Sequence, residues 1–238
     1  MLKRSLPFII SLLIYICNKS LLKGIFPSRL KFSQIIPLLK KWKKKPEITN
    51  YRPISLLTSF SKIFEKLVFN RLCNHVIDNN ILAHEEYGFR KNLSMEEASY
   101  NLTYNILDAL NNKFTVGGIF CELTKAFDCV NHSILLSKLE FYGITGSALN
   151  LMKSYLSDRY QIVLLRNTSS KNYFSDWEKV KLGVPQGSIL GLLFFLLYIN
   201  DLPGSINNLS NLSKLTLQMI PILSLHNLIP QNSRKTLI

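Results

Sequence analysis

Apolar residues recur at helical spacing in several separate stretches of the chain. Between Ser59 and Asn79 they fall at every third or fourth position, a pattern that predicts a long helix with one buried face. At residues 94–97 a serine is followed three positions later by a glutamate, and this capping box predicts the start of a second helix. Shorter helical patterns cover residues 133–141 and 147–157. The positions expected to be buried are Ile63, Phe64, Leu67, Val68, Leu72 and Val76 in the first helix and Ala98, Leu102, Ile106 and Leu110 in the second.

Strand patterns lie between these helices. Two short apolar runs between residues 24 and 57, separated by a lysine cluster and a proline, predict a strand, a basic loop and an extended segment. Residues 115–123 change to strand chemistry and include one carboxylate, Glu122, while further strand-like runs lie near residues 160–166 and 173–182. Helices and strands that interleave in this way predict an α+β fold.

Two apolar runs are too short to cross a bilayer. The run from Leu6 to Cys17 follows two basic residues and imitates a signal peptide, but no small-x-small cleavage site follows it. It contains about 12 residues, and the run from Ile189 to Ile199 about 11, where a membrane span needs roughly 20. We therefore predict that the first run is a buried helix and that the chain has no membrane partner. A membrane-anchored or secreted protein without enzymatic activity is the alternative.

The positive charge of the chain is concentrated in its N-terminal third. Residues 1–75 contain 15 Lys and Arg against 2 Asp and Glu, whereas residues 76–238 contain 14 against 13, which together give the net charge of +14. Such a basic region attracts nucleic acid or anionic lipid, although a solvated lysine-rich loop would have the same composition. The four cysteines show no CxxC spacing, which is typical of a reducing, intracellular compartment, either cytoplasm or nucleus.

Five motifs in a fixed order carry a family resemblance. They are "NYRPISLL…SKIFEKL", "YGFRKNLSMEEA", "GGIFCELTKAFDCVNH", "SYLSDRYQIV" and "GVPQGSILG…YINDLP". Over roughly residues 18–203 the chain resembles reverse transcriptases of non-LTR retrotransposons, the jockey-like group especially. The resemblance implies a right-hand polymerase with fingers in residues 1–110, a partial palm in residues 111–203 built on an antiparallel sheet flanked by helices, and no thumb.

The implied reaction is template-directed nucleotidyl transfer. A primer 3′-hydroxyl attacks the α-phosphate of a deoxynucleoside triphosphate, so an RNA template, a DNA primer and these nucleotides are the expected partners. The family uses Mg²⁺, a hard cation that carboxylates bind. Glu122 stands at the first metal-ligand position of the family, where the family pattern has Asp. The extra methylene displaces the carboxylate, and about 1 Å at a reacting centre can cost on the order of 100-fold in rate.

The other site residues implied by the resemblance lie in the motifs quoted above. Phe127 matches the aromatic that packs under the nucleotide sugar, although it has the composition of a core residue as well. Gln186 and Gly187 belong to the loop along the incoming nucleotide, where Gly183 and Gly187 allow close backbone approach. Arg52 and Lys62 match basic positions expected to meet triphosphate or template phosphates, whereas Arg71 has the pattern of a solvated face. The residues expected to bind the nucleic-acid backbone are Lys40, Lys41, Lys43, Lys44, Lys45 and Arg90.

The second pair of metal-binding acids in this family, "FADD", is missing just past "YINDLP". Residues 202–238 contain no Asp or Glu. In the frame that begins one base earlier, the codons of Met219 and Ile220 must spell Asp, and permitted codons across residues 216–221 spell Phe-Ala-Asp-Asp-Thr. Residues 204–238 are therefore predicted to be an out-of-frame or diverged tail. We expect a catalytically dead chain, and a remnant that only binds nucleic acid is the alternative function.

Overall fold

The structure is a computed structural model that describes residues 2–40, 47–84, 87, 94–116, 125–166 and 172–204. The chain divides into two compact units. The first unit contains Met1–Asn79 and Lys125–Tyr198, and the second contains Asn80–Thr124 and Ile199–Ile238. The predicted basic loop tip, the predicted strand that carries Glu122 and most of the tail lie outside the described residues.

Six α-helices are present among the described residues, and most begin where the apolar periodicity predicts. The long helix expected from Ser59 is confirmed, and its first turn is capped by the Thr58 side chain, which accepts a hydrogen bond from the Ser61 N–H at 3.2 Å. The helices are α1 (Leu2–Lys23), α2 (Ser59–Asp78), α3 (Met95–Asn111), α4 (His132–Phe141), α5 (Gly146–Leu156) and α6 (Ile189–Ile199).

Five strands form one mixed sheet in the first unit. They are β1 (Phe32–Leu39), β2 (Tyr51–Leu56), β3 (Tyr160–Arg166), β4 (Asn172–Phe174) and β5 (Glu178–Lys179). The order is β2-β1-β3-β4, and β5 also pairs with β3. β1 runs antiparallel to β2 and parallel to β3, with Phe32 opposite Tyr160. The α+β fold class is confirmed, while the antiparallel palm sheet stays a prediction.

The core of the first unit is built around Phe26. Its ring packs edge-on against Phe64 of α2 at 5.0 Å and against Tyr155 of α5 at 4.9 Å, measured between ring centroids. Tyr155 in turn meets Phe194 of α6 at 5.7 Å. Edge-to-face pairs of this kind add to the free energy gained by burying the aromatic surface. The cluster therefore joins the segment after α1 to three helices of the unit.

The N-terminal run forms a helix, as predicted, but the prediction that this helix is buried is wrong. Phe8 is 88% exposed, and Leu12 and Tyr15 are about 60% exposed. The C-terminal end of α1 lies close to α5, since a Cβ atom added at Gly24 would lie 2.7 Å from the Ser147 carbonyl oxygen. Among the described residues, no helix is long and apolar enough to cross a membrane.

The predicted buried stripe of α3 and the predicted strand near residues 173–182 differ in detail from the structure. The capping box of α3 itself is confirmed, since the Glu97 N–H donates to Ser94 Oγ at 3.1 Å and the Ser94 N–H donates to the Glu97 carboxylate at 3.4 Å. Its predicted apolar stripe is buried only at Ala98, while Leu110 is 53% exposed. The strand predicted near residues 173–182 is instead two short strands, β4 and β5, separated by three residues.

Candidate functional site

The loop at residues 181–188, which we call the PQG loop, is held against the turn at residues 125–131. The Gly183 N–H donates to the Val130 carbonyl at 2.8 Å, and the Val184 N–H donates to the Phe127 carbonyl at 2.8 Å. The His132 Nε2 atom lies 2.7 Å from the Gly183 carbonyl oxygen. These three contacts fix the start of the PQG loop relative to the turn that follows the Glu122 position.

Gly183 fits this contact because it has no side chain. Its φ of +85° is a left-handed conformation. A Cβ atom added there would lie 2.8 Å from both Cα and the carbonyl oxygen of Asp128. Gly183 therefore allows close approach to the protein's own backbone, and the approach to a nucleotide stays a prediction.

The other end of the PQG loop is attached to β2. The Ser55 N–H donates to the Gln186 carbonyl at 2.8 Å. Gly187 has a φ of +107°, and a Cβ atom there would lie 3.1 Å from the Ser55 carbonyl oxygen. Arg52 lies three residues before Ser55 on the same strand and is exposed. The predicted nucleotide-side residues Arg52, Gln186 and Gly187 thus lie on two segments that are hydrogen-bonded to each other.

Phe127 packs on the protein core. Its ring centroid lies 5.0 Å from that of Phe195 in α6, with the planes tilted by 37°. The side chain is half-buried, so part of the ring stays accessible. The contact with Phe195 fits the alternative that Phe127 is a packing residue. Its packing under the nucleotide sugar stays a prediction.

The predicted basic residues differ in their surroundings. Lys62 is exposed on the first turn of α2, close in sequence to β2. Lys40 donates from Nζ to the Thr49 carbonyl at 2.9 Å, and this contact ties the two ends of the basic loop together. The predicted site residues that lie outside the described part of the chain are Lys41, Lys43, Lys44, Lys45, Arg90 and Glu122.

The described residues do not supply a donor set for Mg²⁺. None of the His, Cys, Asp and Glu side chains in the described ranges form a group of three or more that could hold a metal ion. Asp128 stands six residues after Glu122, and burial raises the pKa of its carboxyl while the charge of Lys125 lowers it. We therefore derive no step through a metal.

A buried carboxylate that the sequence analysis did not identify lies directly behind the PQG loop. Glu65 of α2 is 0% exposed. One carboxylate oxygen accepts from the Ile189 N–H at 2.8 Å, and the other accepts from the Tyr155 hydroxyl at 3.1 Å and the Ser61 hydroxyl at 3.4 Å. Burial raises the pKa of Glu65, and these hydrogen bonds oppose that shift. The sequence does contain a signal for this buried acid. Glu65 directly follows Phe64 and lies three residues before Val68, two members of the apolar stripe of α2.

Comparison with known protein families identifies the class. The model of the family described as reverse transcriptase (RNA-dependent DNA polymerase) matches residues 42–219, which is most of the chain. That match includes β2, the turn at residues 125–131 and the whole PQG loop. The chain therefore belongs to the reverse transcriptase family.

Individual relatives place the chain in the non-LTR retrotransposon group. It is 36% identical over 194 residues to a probable RNA-directed DNA polymerase from transposon BS of Drosophila melanogaster. The aligned region covers 79% of this chain and 20% of the relative. It is 34% identical to a probable RNA-directed DNA polymerase from transposon X-element of the same organism, over 75% of this chain and 19% of the relative. It is 32% identical to the RNA-directed DNA polymerase from mobile element jockey of Drosophila melanogaster, over 79% of this chain and 20% of the relative. The chain thus spans about one fifth of the length of these relatives.

Proposed function

We propose that this chain forms the fingers, residues 1–110, and part of the palm, residues 111–203, of a non-LTR reverse transcriptase, and that it binds nucleotide and template-primer. The observation that carries this proposal is the double attachment of the PQG loop, to the turn at residues 125–131 and to β2. A loop held at both ends presents Gln186 and Gly187 in a fixed position.

The basic residues of the proposed nucleotide side come from neighbouring parts of one segment. Arg52 precedes Ser55 by three residues, or about 10 Å along a strand. Lys62 begins the helix that follows β2. Exposed cations on the strand that is hydrogen-bonded to the loop, and on the helix that follows this strand, suit a triphosphate or a template backbone. The RNA template, the DNA primer and the deoxynucleoside triphosphate are the proposed partners, and Mg²⁺ is the ion of the complete family site.

We expect binding without strand synthesis by this chain alone. Residues 202–238 contain no carboxylate, so the second acid pair of the family has no counterpart there. Glu122 replaces the usual Asp at the first position. Since the reaction depends on carboxylates that converge on the metal ions, loss of a pair removes the chemistry while leaving the basic binding surface. The intracellular location of such a protein is part of the same proposal.

The test is a binding titration combined with primer extension. A labelled RNA template annealed to a DNA primer is titrated with the chain at several salt concentrations from about 50 to 200 mM, and its fluorescence anisotropy is followed. The logarithm of the association constant should fall linearly with the logarithm of salt concentration. Extension of the primer with Mg²⁺ and all four nucleotides should stay at the background of a reaction without protein. Binding that is unchanged across the salt series would contradict the proposed interface, and extended primer would contradict the loss of chemistry.

A matched pair of variants locates the interface. Arg52→Gln should weaken template-primer or nucleotide binding several-fold, because one charge-assisted phosphate contact is lost. Arg71→Gln removes the same charge from an exposed position on the predicted solvated face of α2 and should leave affinity nearly unchanged. Equal effects of the two variants would indicate diffuse attraction by net charge instead of a defined site.

A further inference from the structure

We propose that Glu65 is a positioning residue that holds the PQG loop in place through the N-terminus of α6. The inference rests on the proposed function, since it assigns a role toward the nucleotide-side loop. It is carried by the contacts of one fully buried carboxylate.

Glu65 joins three helices at one point. It lies on α2, it accepts from Tyr155 of α5, and it accepts from the N–H of Ile189, the first residue of α6. The first N–H groups of a helix have no partner within the helix, and a negative charge is favoured there. A buried carboxylate at this position therefore fixes where α6 begins relative to α2.

The start of α6 and the PQG loop form one connected unit. The Ser188 hydroxyl donates to the Pro185 carbonyl at 2.9 Å and accepts from the Gly191 N–H at 2.9 Å. Gly191 permits this contact, because a Cβ atom there would lie 2.6 Å from Ser188 Oγ. Ile189 follows Gln186 by three residues, so a displacement of the Ile189 N–H is transmitted directly to the loop residues.

The two oxygens of Glu65 have different partners. One oxygen accepts from the Ile189 N–H, and the other accepts from the Tyr155 and Ser61 hydroxyls. In a Glu65→Gln variant the amide oxygen can still accept from Ile189, and the amide N–H groups can donate to the hydroxyl oxygens. The variant therefore keeps the hydrogen-bond pattern and removes the negative charge at the start of α6.

The buried negative charge has a buried positive counterpart. Arg159 is 1% exposed, its Cζ lies 4.6 Å above the Tyr155 ring, and its Nη1 donates to the Tyr155 carbonyl at 3.2 Å. Its Nη2 atom is buried without a hydrogen-bond partner, so the guanidinium depends on electrostatic compensation within the protein. Burial raises the pKa of Glu65, and the charge of Arg159 lowers it.

The experiment compares Glu65→Gln with the control Ser61→Ala, which removes the longest of the three hydrogen bonds to Glu65 and the 3.4 Å contact of the Ser61 hydroxyl with the Leu30 carbonyl. Hydrogen exchange measured by mass spectrometry follows the amides of residues 181–191 and, as an internal reference, those of α4. Binding of a fluorescent deoxynucleoside triphosphate is measured with template-primer present. In Glu65→Gln the exchange of residues 181–191 should accelerate about tenfold, the size expected when a hydrogen bond to a charged group becomes a neutral one, and α4 should be unchanged. Ser61→Ala should resemble the unaltered chain in both measurements.

The outcomes separate this inference from the proposed function. Faster exchange confined to residues 181–191, together with weaker nucleotide binding, supports both. The same local change in a chain that binds no nucleotide supports the positioning role of Glu65 and contradicts the proposed nucleotide site. Exchange that is unchanged, or that accelerates equally in α4, overturns the inference, because Glu65 would then be dispensable or only a general contributor to stability.

Discussion

At the scale of single residues, the two glycines of the PQG loop have clear structural reasons. Gly183 and Gly187 both adopt positive φ angles, and an added Cβ would overlap the Asp128 backbone at Gly183 and make a tight contact with the Ser55 carbonyl oxygen at Gly187. The backbone of the loop can therefore bond to Val130 and Phe127 at one end and to Ser55 at the other. Substitution at these positions should affect the fold before it affects any bound nucleotide.

Gly183→Ala should destabilise the first unit by about 2 kcal/mol or more, since a left-handed alanine costs about 1–2 kcal/mol and the new Cβ would also overlap Asp128. Gly146→Ala is the matched control, because Gly146 has a φ of +57° but no atom within 4 Å of the added Cβ. It should show only the conformational cost, about 1 kcal/mol. Urea unfolding followed by circular dichroism measures both, and equal losses would show that the overlap at Asp128 is relieved by local movement.

Single residues also show what the sequence could not predict. The motif predicts that Phe127 lies beside the nucleotide site, but its contact with Phe195 depends on tertiary structure that no local pattern encodes. The place of Glu65 next to the apolar stripe of α2 is a weak signal, and Arg159 has the sequence context of a surface charge in a turn. Their burial follows from the packing of Tyr155 between them, and only the assembled helices reveal it.

At the scale of elements, the convergence of α2, α5 and α6 on Glu65 is the main feature. The three helices meet at the aromatic cluster around Phe26 and at the carboxylate beside it. The charged form of Glu65 is disfavoured by burial, yet it supplies the bond to the start of α6. The arrangement exchanges some stability for a defined position of one helix relative to the others.

The burial of Glu65 predicts that the free energy of unfolding depends on pH. Burial raises the pKa of Glu65 above the value of about 4.3 for an unfolded chain, so between the two pKa values the folded state binds more protons. The stability contributed by this group is present in full below the unfolded value and is lost as pH rises through the folded value. Because Glu65→Gln does not titrate, the free energy of unfolding of the unaltered chain relative to this variant should fall as pH increases from about 4. Urea unfolding at a series of pH values measures it, and a difference that stays constant or grows would contradict the assignment.

Helices were predictable as elements, whereas their exposure was not. The periodicity of α2 and the capping box of α3 depend on neighbouring residues in the sequence, and both are confirmed. The apolar residues of α1 have the composition of a core helix, but Phe8, Leu12 and Tyr15 are largely exposed. Burial depends on which surfaces come together, and hydropathy alone does not specify that.

At the scale of the whole molecule, the tail, residues 204–238, differs from the rest of the chain because it contains no acidic residue. Residues 202–238 contain no acid, although the preceding part of the chain carries all 15. The family match ends at residue 219, within residues 216–221, where permitted codons in the shifted frame spell the acid motif. This coincidence supports our proposal that residues 204–238 are translated out of register or have diverged.

The nucleotide sequence of the locus and its transcript across codons 205–230 tests the register proposal. The frame that begins one base earlier should encode Phe-Ala-Asp-Asp followed by an open stretch that contains acids. If no frame encodes paired acids, the tail has diverged by substitution, and the register proposal is wrong. In either case the binding surface on residues 1–203 is unaffected.

The parallel pairing of β1 with β3 has a consequence for how the chain folds. Phe32 pairs with Tyr160, 128 positions later, so the sheet has a high contact order and closes late. On a ribosome that adds about 5–20 residues per second, the basic hairpin of β1 and β2 is complete roughly 5–20 seconds before β3 is synthesised. During that interval the edge of β1 stays unpaired and open to other chains. Aggregation during synthesis should therefore depend on elongation rate. Slower translation leaves the edge of β1 unpaired for longer and should increase pairing with other chains.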